Sequence, residues 1–119
     1  MIYLDNKTFS VERGELVMRV TPRSGRVREP YRHVCPLTAL EAVAIAIDEA
    51  GEAGIDRRGI LAAGGANHTQ VAVAMAFIVE RGIADEEGPR GCILKSAGAA
   101  HLDTITEFWA LAEEGADGA

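Results

Sequence analysis

A helix that ends abruptly at a glycine and is followed at once by a strand limits the folds open to this chain of 119 residues. It lies in Asn67–Lys95, NHTQVAVAMAFIVERGIADEEGPRGCILK. Glycine takes the left-handed conformation that closes helices, so Gly82 is predicted to end the helix and Ile83 to begin a strand. The predicted helix has apolar residues at three- and four-residue spacing, namely Val71, Met75 and Ile78.

Polar residues before two predicted helices have the spacing of helix caps. Asn67 would cap the helix above, and Gln70 lies three residues later, as in a capping box. Asp56 would cap a short helix from Arg57 to Ala63, and Gly64 with Gly65 would form the turn between the two helices.

Two longer helices are predicted on either side of this segment. The first begins near Thr38, where Thr38 and Glu41 fit a capping box, and ends at Gly51 and Gly54. The last begins near Asp103 or Thr104, and residues 114–119 are predicted to be a disordered tail. One side of the last helix carries Leu102, Ile105, Phe108, Trp109 and Ala112.

The first 35 residues have β-type composition and are predicted to pack on the same domain. A turn signal at Thr21–Gly25 predicts a hairpin that pairs Leu16–Thr21 with Arg26–Tyr31. Two further strands, Ile83–Asp85 and Gly91–Lys95, would pair around a tight turn after the glycine-terminated helix.

The order of elements over residues 37–113 resembles the winged helix-turn-helix superfamily. The spacing from Val71 to Ile83 is similar to that of a recognition helix leading into a β-wing. The resemblance implies an α+β fold with a three-helix core, a two-stranded wing and a C-terminal helix, here with an N-terminal β-hairpin extension. It also implies double-stranded DNA binding by a transcription-regulator-like protein, and a homodimer formed by the C-terminal helix, in which Phe108 and Trp109 would lie at the interface. Alternatively, that helix closes its own core.

The resemblance also implies a set of DNA contacts. His68, Thr69 and Gln70 lie at the start of the recognition helix, where Thr69 and Gln70 would bond base edges. The alternative is that Asn67 and Gln70 only cap the helix and that His68 is solvated. Cations that would hold phosphates are Arg57, Arg58, Arg90 and Lys95. Around the predicted hairpin, Arg23, Arg26 and Arg28 would add non-specific affinity if the hairpin lies beside the recognition helix; the alternative is a solvated edge strand.

The distribution of charge conflicts with DNA binding. Residues 1–33 hold seven basic and four acidic residues, a net charge of +3. The remaining chain holds five basic and fourteen acidic residues, a net charge of −9, whereas nucleic-acid-binding domains are commonly basic.

The rest of the recognition helix also lacks donors for DNA. Its side chains outside the core positions are apolar, and an exposed strip of Val73 and Phe77 would suit a protein contact or packing against the N-terminal hairpin. The alternative function is therefore a protein-interaction or dimerisation module that does not bind DNA.

No residue pattern indicates catalysis, a cofactor or a metal. Cys35 and Cys92 predict two reduced thiols, with a single long-range disulfide as the alternative. No apolar run approaches the ~20 residues that span a bilayer, and the N-terminus lacks the pattern of a secretory signal. These features predict a cytoplasmic protein that is not an enzyme and does not bind membranes.

Overall fold

A tight turn with positive φ at both central residues opens the fold. Arg13 (φ 53°) and Gly14 (φ 77°) join β1 to β2, the geometry of a two-residue hairpin. The computed structural model describes residues 6–22, 29–89, 93–96 and 98–117. The strands are β1 (Asn6–Glu12), β2 (Glu15–Thr21), β3 (Tyr31–Pro36), β4 (Ile55–Asp56), β5 (Asp85–Glu87) and β6 (Ile93–Lys95). The helices are α1 (Leu37–Ala50), α2 (Arg57–Ala63), α3 (His68–Glu80) and α4 (Ala100–Asp117), with a 3₁₀ turn at Gly51–Ala53.

The N-terminal strands form an antiparallel sheet in the order β1-β2-β3, not a single hairpin. Val20 pairs with both Lys7 and Tyr31. Of the predicted partner strand Arg26–Tyr31, only Tyr31 is in a strand among the described residues; Glu29 and Pro30 are not, and residues 26–28 lie outside the described residues. Register explains the difference, because pairing Leu16 with Cys35 places Leu16, Met18, Val20 and Cys35 together on the face that meets the core.

The strand β3 leads directly into α1. Pro36 occupies the N-cap position with φ −59° and ψ 151°, and no side chain caps the helix. The predicted capping box at Thr38 and Glu41 is therefore wrong, because the helix already begins at Leu37. The predicted cap of α2 is confirmed, since the Asp56 carboxylate accepts the Gly59 amide at 2.8 Å.

Local hydrogen bonds define both ends of α3. The capping box is confirmed: the Gln70 amide donates to Asn67 Oδ1, and the Asn67 amide to Gln70 Oε1, each at 2.9 Å. At the other end, the amides of Gly82 and Ile83 donate to the carbonyls of Val79 and Ile78, each at 3.0 Å. Because this closing motif uses Ile83, the next strand starts at Asp85 instead of the predicted Ile83.

A second antiparallel sheet has the order β4-β6-β5. The predicted pairing around a turn is confirmed for β5 with β6, and β4 adds a strand that the sequence did not predict. Gly54 allows the close approach, because a Cβ atom there would lie 2.5 Å from Ile93 Cγ2.

The last helix is longer at both ends than predicted. It starts at Ala100 and continues through residues 114–117, the greater part of the predicted tail. Its buried side chains follow helical spacing and are Ala100, Thr104, Phe108 and Leu111. One apolar core joins this helix to α1, α3 and the N-terminal sheet, which gives an α+β fold.

Candidate functional site

The helix α3 is covered on two sides by the rest of the fold. Val71 and Ile78 are fully buried in the core shared with α1, and Val73 and Phe77 are fully buried as well. The strip of Val73 and Phe77 is therefore not exposed, and of its two predicted roles the packing against the N-terminal strands agrees with the structure, whereas an exposed protein contact does not. The N-terminal sheet covers the strip at Phe77, with the Phe9 and Phe77 rings edge-to-face at 5.4 Å between centroids.

A third stripe of α3 stays half-exposed and forms the floor of a groove of about 390 Å³. Its members are spaced at three and four residues, so they share one side of the helix. They are Ala72, Met75, Ala76 and Val79. None of these side chains can donate a hydrogen bond, so the stripe offers only apolar contacts.

One wall of the groove comes from the inner face of the N-terminal sheet, through Lys7, Met18, Tyr31 and His33. The register places these four on the face that also carries the buried Leu16. The rings of Tyr31 and His33 lie edge-to-face, 4.9 Å between centroids. This face therefore changes from apolar in the core to polar where it overhangs α3.

The opposite wall comes from α2 and the second sheet. It contains Arg57, Glu86 and Leu94. Arg57 Nη2 donates to the backbone carbonyl of His68 at 3.1 Å, which ties the start of α2 to the start of α3. No other hydrogen bond of this exposed guanidinium is found within the described residues, so its other N–H groups can meet water or a ligand.

The predicted DNA-reading residues at the start of α3 are only partly available. The capping box occupies the side-chain oxygen of Gln70, while His68 and Thr69 are exposed. The structure brings Arg57 to this end of α3 and leaves Arg58 exposed beside it on α2.

The strands after α3 carry more acid than base. Lys95 Nζ lies 3.7 Å from Glu87 Oε2, so this predicted phosphate contact already has a carboxylate partner. Asp85, Glu86 and Glu87 make β5 an exposed acidic strand. The other cations predicted to contact DNA lie outside the described residues and are Arg23, Arg26, Arg28 and Arg90.

The outer face of the N-terminal sheet carries a charged cluster. Arg19 donates to Glu12 and, at 3.0 Å, to Ser10. The hydrogen bonds from Arg19 and then Ser10 lower the pKa of Glu12 to about 2. These charges neutralise one another, in contrast to those at the groove.

The helix α4 turns two large apolar side chains to solvent. Leu102 is 68% exposed and Trp109 51% exposed. Phe108 is fully buried in its own chain, so its predicted place at an interface is wrong, and only its neighbour Trp109 remains available. The Phe108 and Trp109 rings lie edge-to-face with centroids 5.1 Å apart.

A third exposed apolar side chain lies beside α4. His101 Nε2 is 3.0 Å from Glu41 Oε2, and Asp48 accepts the amides of Ala100 and His101. Glu41 and Asp48 therefore define the side of α1 that meets α4. Ile45, 38% exposed, lies between them at helical spacing.

Cys35 is a core residue. Burial, and then the nearby charge of Glu15, raise the pKa of its thiol to about 12, so it stays protonated near neutrality. Cys92 lies outside the described residues. In the part of the chain that the structure describes, no three His, Cys, Asp or Glu side chains are grouped as metal ligands. Within the same residues, no helix combines the length and hydropathy needed to cross a bilayer.

The groove was not predicted from the sequence, because its polar wall lies on N-terminal strands whose predicted pairing differs from that in the structure. The alternation of Tyr31, His33 and Cys35 was the available signal, since these three positions share one face of a strand. Comparison of the chain with protein-family models, curated proteins and solved structures found no match.

Proposed function

We propose that this chain is a winged-helix module that acts through protein contacts and pairs with a second copy of itself through α4. The winged-helix assignment is supported by the order α1, β4, α2, α3, β5, β6 and by the three-stranded second sheet. The capping box and glycine stop that bound α3 support it as well.

The exposure of Leu102 and Trp109 carries the proposal. Residues seven apart share one side of a helix, so these two form a single apolar stripe on α4, near Ile45. Apolar patches left in water mark interaction sites, and tryptophan is enriched among the residues that dominate binding energy at interfaces. A second copy would present the same stripe, as a two-fold interface requires.

The helix α3 is less suited to the same role. Its widest apolar side chains are covered by the N-terminal sheet, and its half-exposed stripe lies in a groove between two walls. A flat helix surface such as that of α4 is easier for a second folded domain to approach.

Trp109→Ser tests the proposal through the oligomeric state. Light scattering of the unaltered protein at about 0.1 mM, where a micromolar complex is saturated, should give twice the chain mass of 12.6 kDa. Trp109→Ser should return the mass toward that of one chain, because the stripe loses its largest apolar side chain.

Glu114→Ser is the matched control, since Glu114 is exposed on a different side of α4 and should leave the mass unchanged. A monomer mass for the unaltered protein over the whole concentration range would refute the proposal.

DNA binding is a second candidate, favoured by the cations near the start of α3. Arg57 and Arg58 make no ion pair within the described residues, and the exposed Thr69 lies at the end of α3 to which Arg57 is bonded. The acidic strand β5 weighs against it, because DNA affinity depends largely on neutralising phosphates.

Fluorescence anisotropy with mixed-sequence duplex DNA at ~50 mM salt tests this candidate, since phosphate contacts are strongest at low salt. Binding that weakens as salt rises, and that weakens further in Arg58→Ala, would support it. No binding at that salt concentration would rule it out.

A further inference from the structure

We infer that the groove between the N-terminal sheet and α3 binds a small organic anion. The apolar body of the ligand would lie on the stripe of Ala72, Met75, Ala76 and Val79, and its anionic group would meet Lys7 and Arg57 at the rim. The inference does not depend on self-association or on DNA binding.

The floor is built for an apolar ligand surface. Small alanine side chains at positions 72 and 76 leave room above the helix, and Met75 and Val79 flank them. Methionine is flexible and polarisable, so Met75 and Met18 can adapt to an aromatic or branched ligand.

Among the residues that the structure describes, the two cations at the rim have no acidic partner. Lys7 and Arg57 make no ion pair within the described residues. By contrast, Arg19 and Lys95 each have a carboxylate within ion-pair distance. In a chain of net charge −6, two unpaired cations that line one groove favour an anionic ligand.

Two polar residues lie in the groove at positions of the inner sheet face whose paired residues are buried in the core. Lys7 pairs with the buried Val20, and His33 pairs with the buried Met18, all on the inner face. The His33 ring carries at least one N–H group, which adds a donor for the anion. Among the described residues that line the groove, Glu86 is the one acid, and it leaves the cations in excess.

The dimensions of the groove select a small molecule as its occupant. A volume of about 390 Å³ lies within the ~300–1,000 Å³ of small-molecule sites, near the lower end. Such sites combine apolar side chains with a few convergent polar groups, and here the apolar stripe of α3 lies beneath Lys7, His33 and Arg57.

A charge series of one ring system tests the site by isothermal titration calorimetry at low salt. The probes are naphthoate, the neutral naphthylmethanol and the cationic naphthylmethylamine. We expect naphthoate to bind about tenfold more tightly than the alcohol, because a charge-assisted hydrogen bond is roughly twice as strong as a neutral one. The amine should bind most weakly. Absence of naphthoate binding up to ~5 mM, beyond the millimolar affinities of the weakest specific ligands, would overturn the inference, as would equal affinities for naphthoate and the amine.

Single substitutions locate the bound anion. Lys7→Gln and Arg57→Gln should each weaken naphthoate binding about three- to tenfold, the range for losing one hydrogen bond of ordinary net strength. Arg58→Gln is the matched control: Arg58 is the exposed neighbour of Arg57, does not line the groove, and should bind within about twofold of the unaltered protein. Lys7 makes no hydrogen bond in the described structure, so its variant decides the matter if Arg57→Gln disturbs folding.

Filling the floor is an independent test. Ala76→Met should block naphthoate while leaving the circular dichroism spectrum unchanged, because Ala76 is half-exposed. Unchanged affinity in Ala76→Met, or in both Lys7→Gln and Arg57→Gln, would place the binding elsewhere and overturn the inference. Trp109→Ser lies on α4 and should retain naphthoate binding, so this inference and the proposed self-association can fail separately.

Discussion

The Asp48 carboxylate of α1 accepts the backbone amide of His101 in the first turn of α4, with Oδ2 and the nitrogen 2.9 Å apart. Its Oδ1 accepts the amide of Ala100 at 2.7 Å and the hydroxyl of Ser96 at 3.0 Å. The first amides of a helix have no partner within it, so a side chain from one helix caps another. This contact holds the start of α4 next to α1. It therefore also positions the surface of α4 that carries Leu102.

Replacing Asp48 should destabilise the fold. We expect Asp48→Ala to lower the free energy of unfolding by about 1–2 kcal/mol, the usual cost of losing a helix cap. Denaturation by urea measures the change. Glu49→Ala is the control, because Glu49 is the exposed neighbour on α1 and should cost under about 0.5 kcal/mol. Equal losses in the two variants would show that the cap contributes nothing.

The stabilisation from Asp48 should depend on pH. Burial raises the pKa of Asp48, but hydrogen bonds from His101, Ala100 and Ser96 outweigh it, and the pKa lies below its ordinary value of 3.8. A lowered pKa in the folded state gives stability that is complete above the pKa of the unfolded chain and is lost as pH falls through the folded value. The difference in unfolding free energy between the unaltered protein and Asp48→Asn should therefore be constant near neutrality and shrink below about pH 4. A difference that stays constant down to pH 2 would contradict this.

Replacing Thr104 with valine should make the protein more stable. The Thr104 side chain is fully buried, and its hydroxyl has no hydrogen-bond partner in the described structure. Because an unsatisfied buried hydroxyl costs about 1–3 kcal/mol, Thr104→Val should raise the free energy of unfolding by roughly 1 kcal/mol. Thr106→Val on the same helix is the control, since the exposed Thr106 hydroxyl donates to the Leu102 carbonyl at 2.9 Å. A gain as large in Thr106→Val would point to helix propensity instead.

Phe77 should matter for stability and not for association. It is fully buried, edge-to-face with Phe9, and Arg81 lies over its ring at 5.4 Å. Phe77→Ala should cost about 3–5 kcal/mol, as for other buried phenylalanines, and Phe9→Ala less, because Phe9 is only partly buried. At a temperature where Phe77→Ala is still folded, light scattering should show the same mass as for the unaltered protein. A change in mass without a loss of stability would return Phe77 to an interface.

Elements with local signals were predictable. The caps at Asp56 and Asn67 and the stop at Gly82 involve residues within a few positions of one another, so the local sequence contains the whole interaction. The α+β class followed from these elements. The start of α1 was not predictable in the same way. Thr38 and Glu41 have the spacing of a capping box, but β3 leads directly into the helix at Leu37, so no side-chain cap forms.

The site was less accessible to prediction. The sequence placed Arg57 near His68 and Thr69 at the start of α3, as the structure does. The groove combines Arg57 with Lys7 and His33, which come from strands far away along the chain. Their place depends on pairing register, which local patterns specify weakly when several polar and apolar residues alternate.

The sequence alone determined where α2 and α3 begin and where α3 stops, because each cap is a hydrogen bond between near neighbours. Only the tertiary structure decided which sides of α3 and α4 meet water. An apolar side chain such as Val73 or Trp109 looks the same in either setting, and its exposure depends on which distant element packs on it. The N-terminal sheet covers Phe77, which is fully buried together with Val73, whereas Trp109 remains 51% exposed. These long-range contacts separate a buried helix face from an exposed one.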